Sequence, residues 1–123
     1  MKYRESGMPD EKMWKTFFNP QQILSQLGVD RKTKTLLDIG CGYGTFLIPA
    51  ASLVGEKVIG IDIENEMIEA CRAKAKDKKL PNVDLVCGDF SDRNVRRRLE
   101  KQKNGIDYVC LFNILHCENP SHF

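Results

Sequence analysis

Residues 35–62 read TLLDIGCGYGTFLIPAASLVGEKVIGID, and this stretch decides the fold. Residues 35–39 (TLLDI) are a short, mostly apolar run that stops at Gly40, Gly42 and Gly44. Such a run bounded by glycines reads as a buried strand. The pattern then predicts a helix over about 43–54, stopped by Gly55, with Pro49 in its second turn removing one backbone donor. Residues 57–62 (KVIGID) read as a second strand. Strand, glycine turn, helix and strand make one βαβ unit, which calls for a parallel sheet.

The alternation continues downstream. A helix over 65–79 sets Met67, Ile68, Cys71 and Ala75 on one face, with Glu66 and Glu69 early and Lys74, Lys76, Lys78 and Lys79 late, the charge order that suits a helix dipole. Pro81 ends it, and residues 83–87 (VDLVC) form the third strand. Ser91 is expected to cap a helix carrying Val95 and Leu99, closed by Gly105. Residues 106–113 (IDYVCLFN) are the fourth strand, apolar enough to be buried on both faces. Upstream, residues 10–18 carry Met13, Trp14, Phe17 and Phe18 at helical spacing, and Asn19 with Pro20 opens a short helix ending at Leu27 and Gly28. The chain therefore divides into an N-terminal helical cap segment, residues 1–33, and an α/β domain, residues 34–123.

At 123 residues and 14.1 kDa the chain holds one domain at most. Its formal charge of +2 is too small to imply a nucleic-acid or membrane partner through net charge. It contains no apolar run of the roughly 20 residues that span a bilayer, and MKYRESGMPDEKMW lacks the apolar centre of a signal peptide, so a cytoplasmic protein is expected. The 5 cysteines are odd in number and form no C-x-x-C pair, which reads as reduced core thiols. His116, Cys117 and His122 lack zinc-ligand spacing, and no metal is expected. Arg93, Arg96, Arg97, Arg98, Lys101 and Lys103 make a basic helix surface, read as a solvated face that could touch RNA phosphates.

A glycine turn between a buried strand and a helix lets backbone approach a ligand and presents free N–H groups. Here the spacing is G-x-G-x-G, without the third glycine of the dinucleotide fingerprint G-x-G-x-x-G, so a pyrophosphate site loses favour. Asp62 ends the second strand, where a carboxylate can accept hydrogen bonds from both ribose hydroxyls. Gly88, Asp89 and Phe90 follow the third strand and put a carboxylate and an aromatic ring where an adenine would lie. Three strand ends thus converge on one ligand.

In order and spacing, LLDIGCGYGTF, VIGIDIENEMI, VDLVCGDF and IDYVCLFNILHCENP resemble the class I S-adenosylmethionine-dependent methyltransferases over about residues 35–120. The resemblance implies a Rossmann-like three-layer αβα fold with parallel strands 3-2-1-4, incomplete relative to the family's seven-stranded sheet and preceded by N-terminal helices. It implies S-adenosylmethionine as cofactor, with Gly40, Cys41, Gly42 and Gly44 around its methionine part. Asp62 would bind the ribose, Ile63 would pack on the adenine with Met67 in the same site, and Asp89 and Phe90 would meet the adenine edge and face. Asn113 would lie near the methionine amino group, and Asp38 would hold the loop or bind that amino group through water. No catalytic base is assigned.

The acceptor is open. Residues 112–116 (FNILH) are not the Asn/Asp-Pro-Pro-aromatic run of enzymes that methylate DNA bases, and FNILHCENP is more similar to the small-molecule branch. An RNA acceptor held by the basic helix is the alternative, as is a non-catalytic cofactor- or partner-binding module; a nicotinamide-dependent oxidoreductase is disfavoured by the glycine spacing. Trp14, Phe17 and Phe18 would form a lid over the site or cover the sheet edge. The implied seven strands make the chain the N-terminal part of a longer enzyme, or one whose fourth-strand edge pairs with another copy.

Overall fold

The computed structural model describes residues 19–102 and 105–111. In chain order it contains α1 (Pro20–Gln26), β1 (Thr35–Ile39), α2 (Leu47–Leu53), β2 (Lys57–Asp62), α3 (Asn65–Asp77), β3 (Val83–Cys87), α4 (Arg93–Glu100) and β4 (Tyr108–Cys110). The four strands form one parallel sheet ordered β3-β2-β1-β4, the order that the family resemblance implies. The order reverses direction after β3, so the β3-to-β4 crossover runs on the opposite face from the two before it. Leu36, Val58 and Leu85 pack with Leu47 and Ala50 of α2 and Ile68 and Cys71 of α3. On the other face Leu37, Ile59, Ile61 and Val86 pack against Val95 of α4. Both faces are covered, which is why the strands read as apolar runs rather than alternations.

The cap residues explain where the helices begin. Asn19 accepts a hydrogen bond from the Gln22 amide at 3.1 Å, and Pro20 fills the first turn of α1. Leu24 of α1 and Val29 after it are buried in the same core as the sheet. At α4 the cap is Asp92, which accepts from the Asn94 amide at 2.7 Å, rather than Ser91. Ser91 is instead a donor, giving its amide and hydroxyl to Asp89.

Three other expectations change. α2 starts at Leu47, four residues later than its apolar pattern suggests, because Gly42 and Gly44 take left-handed φ of 57° and 83° and hold the chain in turns up to Phe46. The late start resolves the Pro49 conflict: as the third helical residue it stands where an N–H has no intrahelical partner. α3 ends at Asp77 because Lys79 adopts φ of 55° and the Leu80 amide turns back to the Ala75 carbonyl. β4 is short. Ile106 and Asp107 precede its ladder, and Asp107 instead accepts from the Lys34 and Thr35 amides at 2.9 and 2.8 Å, pinning the entry of β4 to that of β1. Among the described residues β4 pairs only with β1, and Val109 is 50% exposed. Residues 10–18, Lys103, Phe112, Asn113, His116, Cys117 and His122 lie outside the described residues.

Candidate functional site

The carboxyl ends of β1, β2 and β3 are laced together by backbone. The Gly40 and Cys41 amides both donate to the Ile61 carbonyl, at 2.7 and 3.0 Å, and the Gly88 amide donates to the Asp62 carbonyl at 2.9 Å. The loop after β1 therefore lies across the end of β2. Gly40, Gly42 and Gly44 all have positive φ, conformations an L side chain adopts only at a cost. At Gly44 a methyl would also press on Cys71 Sγ and Ile48 Cγ1, each 3.0 Å away.

Asp62 is the anchor of this loop. Its Oδ2 accepts from the Gly42 amide at 3.0 Å and its Oδ1 from the Glu64 amide at 2.9 Å. Two acceptor directions remain on a carboxylate so bonded, enough for a pair of vicinal hydroxyls. The loop is held from behind by α3, which sequence reasoning did not foresee. Cys71 Sγ donates to the Gly42 carbonyl at 3.2 Å, and Lys74 Nζ donates to the Tyr43 carbonyl at 2.7 Å while lying 5.8 Å from the centre of the Tyr43 ring. Cys71 and Lys74 are three apart on one helix face, so the helical pattern carried that signal, although nothing local tied it to residues some thirty positions earlier.

Asp38 is expected to hold the loop or to bind the amino group of the cofactor through water, and the structure bears on the first of these. Asp38 is 0% exposed, and among the described residues no group donates to either carboxylate oxygen. Asp38 therefore does not hold the loop; Asp62 does. Burial in an apolar surround, with the Asp62 charge adding to it, pushes the Asp38 carboxyl up to about 8. Cys41 is buried beside Cys71, with the two sulfurs hydrogen-bonded at 3.9 Å and not joined in a disulfide. Cys110 is likewise buried and free, whereas Cys87 is exposed, a departure from the all-core expectation.

Two apolar side chains stand out at the rim. Ile63, just after β2, is 69% exposed, and Phe90, just after β3, is 39% exposed. Met67, on the first turn of α3, is half-buried. Asp89 lies beside Phe90, and its Oδ1 accepts from the Ser91 amide and hydroxyl at 2.9 and 3.0 Å, which holds this carboxyl below its usual range. Its Oδ2 accepts no bond among the described residues. The structure thus gathers Gly40, Cys41, Gly42, Gly44, Asp62, Ile63, Met67, Asp89 and Phe90 at one end of the sheet, with Asp38 beneath them; Asn113 lies outside the described residues. Among the described residues no cluster of three or more His, Cys, Asp or Glu could hold a metal ion.

These residues fit an adenosyl cofactor. The free acceptor capacity of Asp62 suits a ribose diol, Ile63 and Phe90 offer apolar surface to a base, and Asp38 is a buried acid to which no described residue donates. Fold and site together define a Rossmann-like α/β domain of the kind that binds a ligand at its strand ends. The profile of the family described as "Methyltransferase domain" matches residues 36–122. The chain belongs to this family, that of the S-adenosylmethionine-dependent class I methyltransferases. It is 42% identical over 79 residues to nocamycin O-methyltransferase of Saccharothrix syringae, covering 62% of this chain and 28% of the relative. It is 36% identical over 90 residues to aklanonic acid methyltransferase DauC of Streptomyces sp. (strain C5), covering 71% of this chain and 41% of that protein. An RNA methyltransferase from Salinibacter ruber, solved in complex with S-adenosyl-L-homocysteine, superposes with a TM-score of 0.53 at 28% identity, covering 62% of this chain and 50% of that one. The chain thus spans between about a quarter and a half of the length of these proteins.

Proposed function

We propose that the whole protein transfers a methyl group from S-adenosylmethionine to a small-molecule acceptor, and that this chain contributes the cofactor-binding part. The observation that carries the reading is Asp62, whose carboxylate holds the Gly42 amide at the end of the sheet between exposed Ile63 and Phe90. When bound, the cofactor supplies an electrophilic methyl on a sulfonium, which an acceptor lone pair takes by in-line displacement. Asp62 fixes the ribose through its remaining acceptor directions. Ile63, Phe90 and Met67 remove the base from water, and the backbone of residues 40–44 meets the amino-acid end, with Cys71 and Lys74 stiffening that loop from α3. Alignment and exclusion of water are the protein's share of catalysis in this scheme.

The small-molecule assignment draws on the two relatives whose names give small natural products as substrates. A second reading, an RNA acceptor, is favoured by Arg93, Arg96 and Arg97, which are exposed on α4 and whose side chains make no hydrogen bond or ion pair among the described residues. A plot of log affinity for a short RNA against log salt with a slope near zero rules that reading out. A cytoplasmic location agrees with the free thiols and with the lack, among the described residues, of a helix long and apolar enough to cross a membrane. Calorimetry with S-adenosylmethionine and S-adenosylhomocysteine tests the function. Binding of both is expected, weakened about ten- to a hundredfold by Asp62→Ala through loss of charge-assisted hydrogen bonds. A folded protein that binds neither, or that binds NAD in their place, refutes it.

A further inference from the structure

Asp38 occupies a position that an ionised carboxylate cannot hold without help. It lies near the carboxyl end of β1, flanked by Gly60 of β2 and Cys110 of β4. Its strand neighbour on the same face, Leu36, belongs to an apolar cluster with Cys41, Cys71 and Cys110. The side chain is fully buried, and among the described residues no protein group donates to it. An isolated buried carboxylate is among the costliest groups to keep ionised, and taking up a proton is the usual escape. A like charge makes the cost larger: Asp62, at the end of β2, raises Asp38 further.

We infer that Asp38 is a neutral carboxylic acid in the free protein, and that a cationic ligand binding at the glycine turn expels its proton. The inference rests on the cofactor reading above. S-adenosylmethionine carries a sulfonium and an ammonium against a single carboxylate, so it brings one net positive charge to a loop that begins two residues after Asp38. In a low-dielectric surround a nearby cation favours the ionised acid strongly. The proton lost from the Asp38 carboxyl passes to the buffer, and the carboxylate left behind is compensated by the ligand. Binding therefore tightens as the pH rises towards the point where Asp38 is already ionised.

The other titratable groups around Asp38 are one acid and three thiols. Asp62 faces it from β2, Cys41 from the glycine turn, Cys71 from α3 and Cys110 from β4. Cys110 is pushed up to about 12 by burial, and Cys41 is pushed up by its hydrogen bond with Cys71 and by burial, so both stay protonated near neutrality. Cys71 moves the other way, lowered by the hydrogen bond from Cys41, and is the group to control for.

The test is calorimetric titration of the protein with S-adenosylmethionine at about pH 6.5 in buffers of different ionisation enthalpy. The apparent heat should depend linearly on that enthalpy, with a slope of about one proton released per ligand. Asp38→Asn, which copies the shape of the neutral acid, should bring the slope near zero, and Cys71→Ser should leave it in place. A slope near zero in the parent, or one that survives Asp38→Asn, overturns the inference while leaving the cofactor reading intact. No binding heat at all overturns the cofactor reading instead. If Asp38→Asn does not fold, carbon-13 spectra of aspartate-labelled parent protein decide: Asp38 should titrate with a raised midpoint that falls when ligand is added, and an ordinary low midpoint in the free protein refutes the inference.

Discussion

Replacing Gly60 by alanine tests the packing that sets the glycine turn against the sheet. Gly60 lies in the middle of β2, paired with Asp38 on one side and Leu85 on the other. A methyl built there lies 2.5 Å from Leu47 Cδ2, 3.1 Å from Cys41 Sγ and 3.2 Å from Leu85 Cδ2. Carbon atoms in contact prefer roughly 3.5–4.0 Å, so Leu47 must retreat by about an ångström. Leu47 is fully buried in the first turn of α2 and has no solvent to retreat into. Overpacking of this kind costs about 1–3 kcal/mol. The stiffer unfolded chain returns about 0.4–1 kcal/mol, which leaves a net destabilisation of about 1–2 kcal/mol. For a domain of this size that lowers Tm by roughly 4–10 °C. Thermal and urea unfolding followed by circular dichroism measure it, with Cm falling at constant slope. Adding Leu47→Ala should cost less in the Gly60→Ala background than in the parent, because the two side chains compete for one space. A Gly60→Ala protein as stable as the parent, or strictly additive double-mutant data, would refute the argument.

Other outcomes follow from single contacts. Asp92→Ala should cost about 1 kcal/mol as the loss of a helix cap, and Ser91→Ala should cost less, since Ser91 bonds Asp89 and caps nothing; urea melts of the two variants decide between them. Arg98 and Asp84 are joined at 2.8 Å but partly exposed, so Arg98→Ala should change stability by less than about 1 kcal/mol. Asp38 has a folded value raised from 3.8 to about 8, so between those limits the native state binds the extra proton and stability falls as pH rises, by up to about 1.4 kcal/mol per pH unit. Asp38→Asn should flatten that slope in melts taken between pH 5 and 8, and an unchanged slope would assign the linkage to another group.

Much of the fold is legible in the sequence because its cause is local. β1, β2 and β3 occupy the spans their apolar runs mark, residues 35–39, 57–62 and 83–87, since a strand buried on both faces must be apolar at nearly every position. The glycines and Asp62 are legible too: a turn needing positive φ asks for glycine, and a strand end asks for a side chain that can bond a loop. The helix boundaries were less so. The apolar pattern of α2 runs back past Phe46, and only the left-handed conformations of Gly42 and Gly44 delay the helix.

What the sequence leaves open is which partner each polar group meets. Asp38 and Asp62 are both acids at strand ends, and nothing within a few residues of either says that one bonds two amides while the other bonds none. That difference arises where β1, β2 and the loop between them come together, as do the supports that Cys71 and Lys74 give to residues 42 and 43. Periodicity and turn chemistry act over a few residues and are written along the chain. The electrostatic state of a buried acid depends on atoms brought near it by tertiary packing, and only that packing made Asp38 the group without a partner.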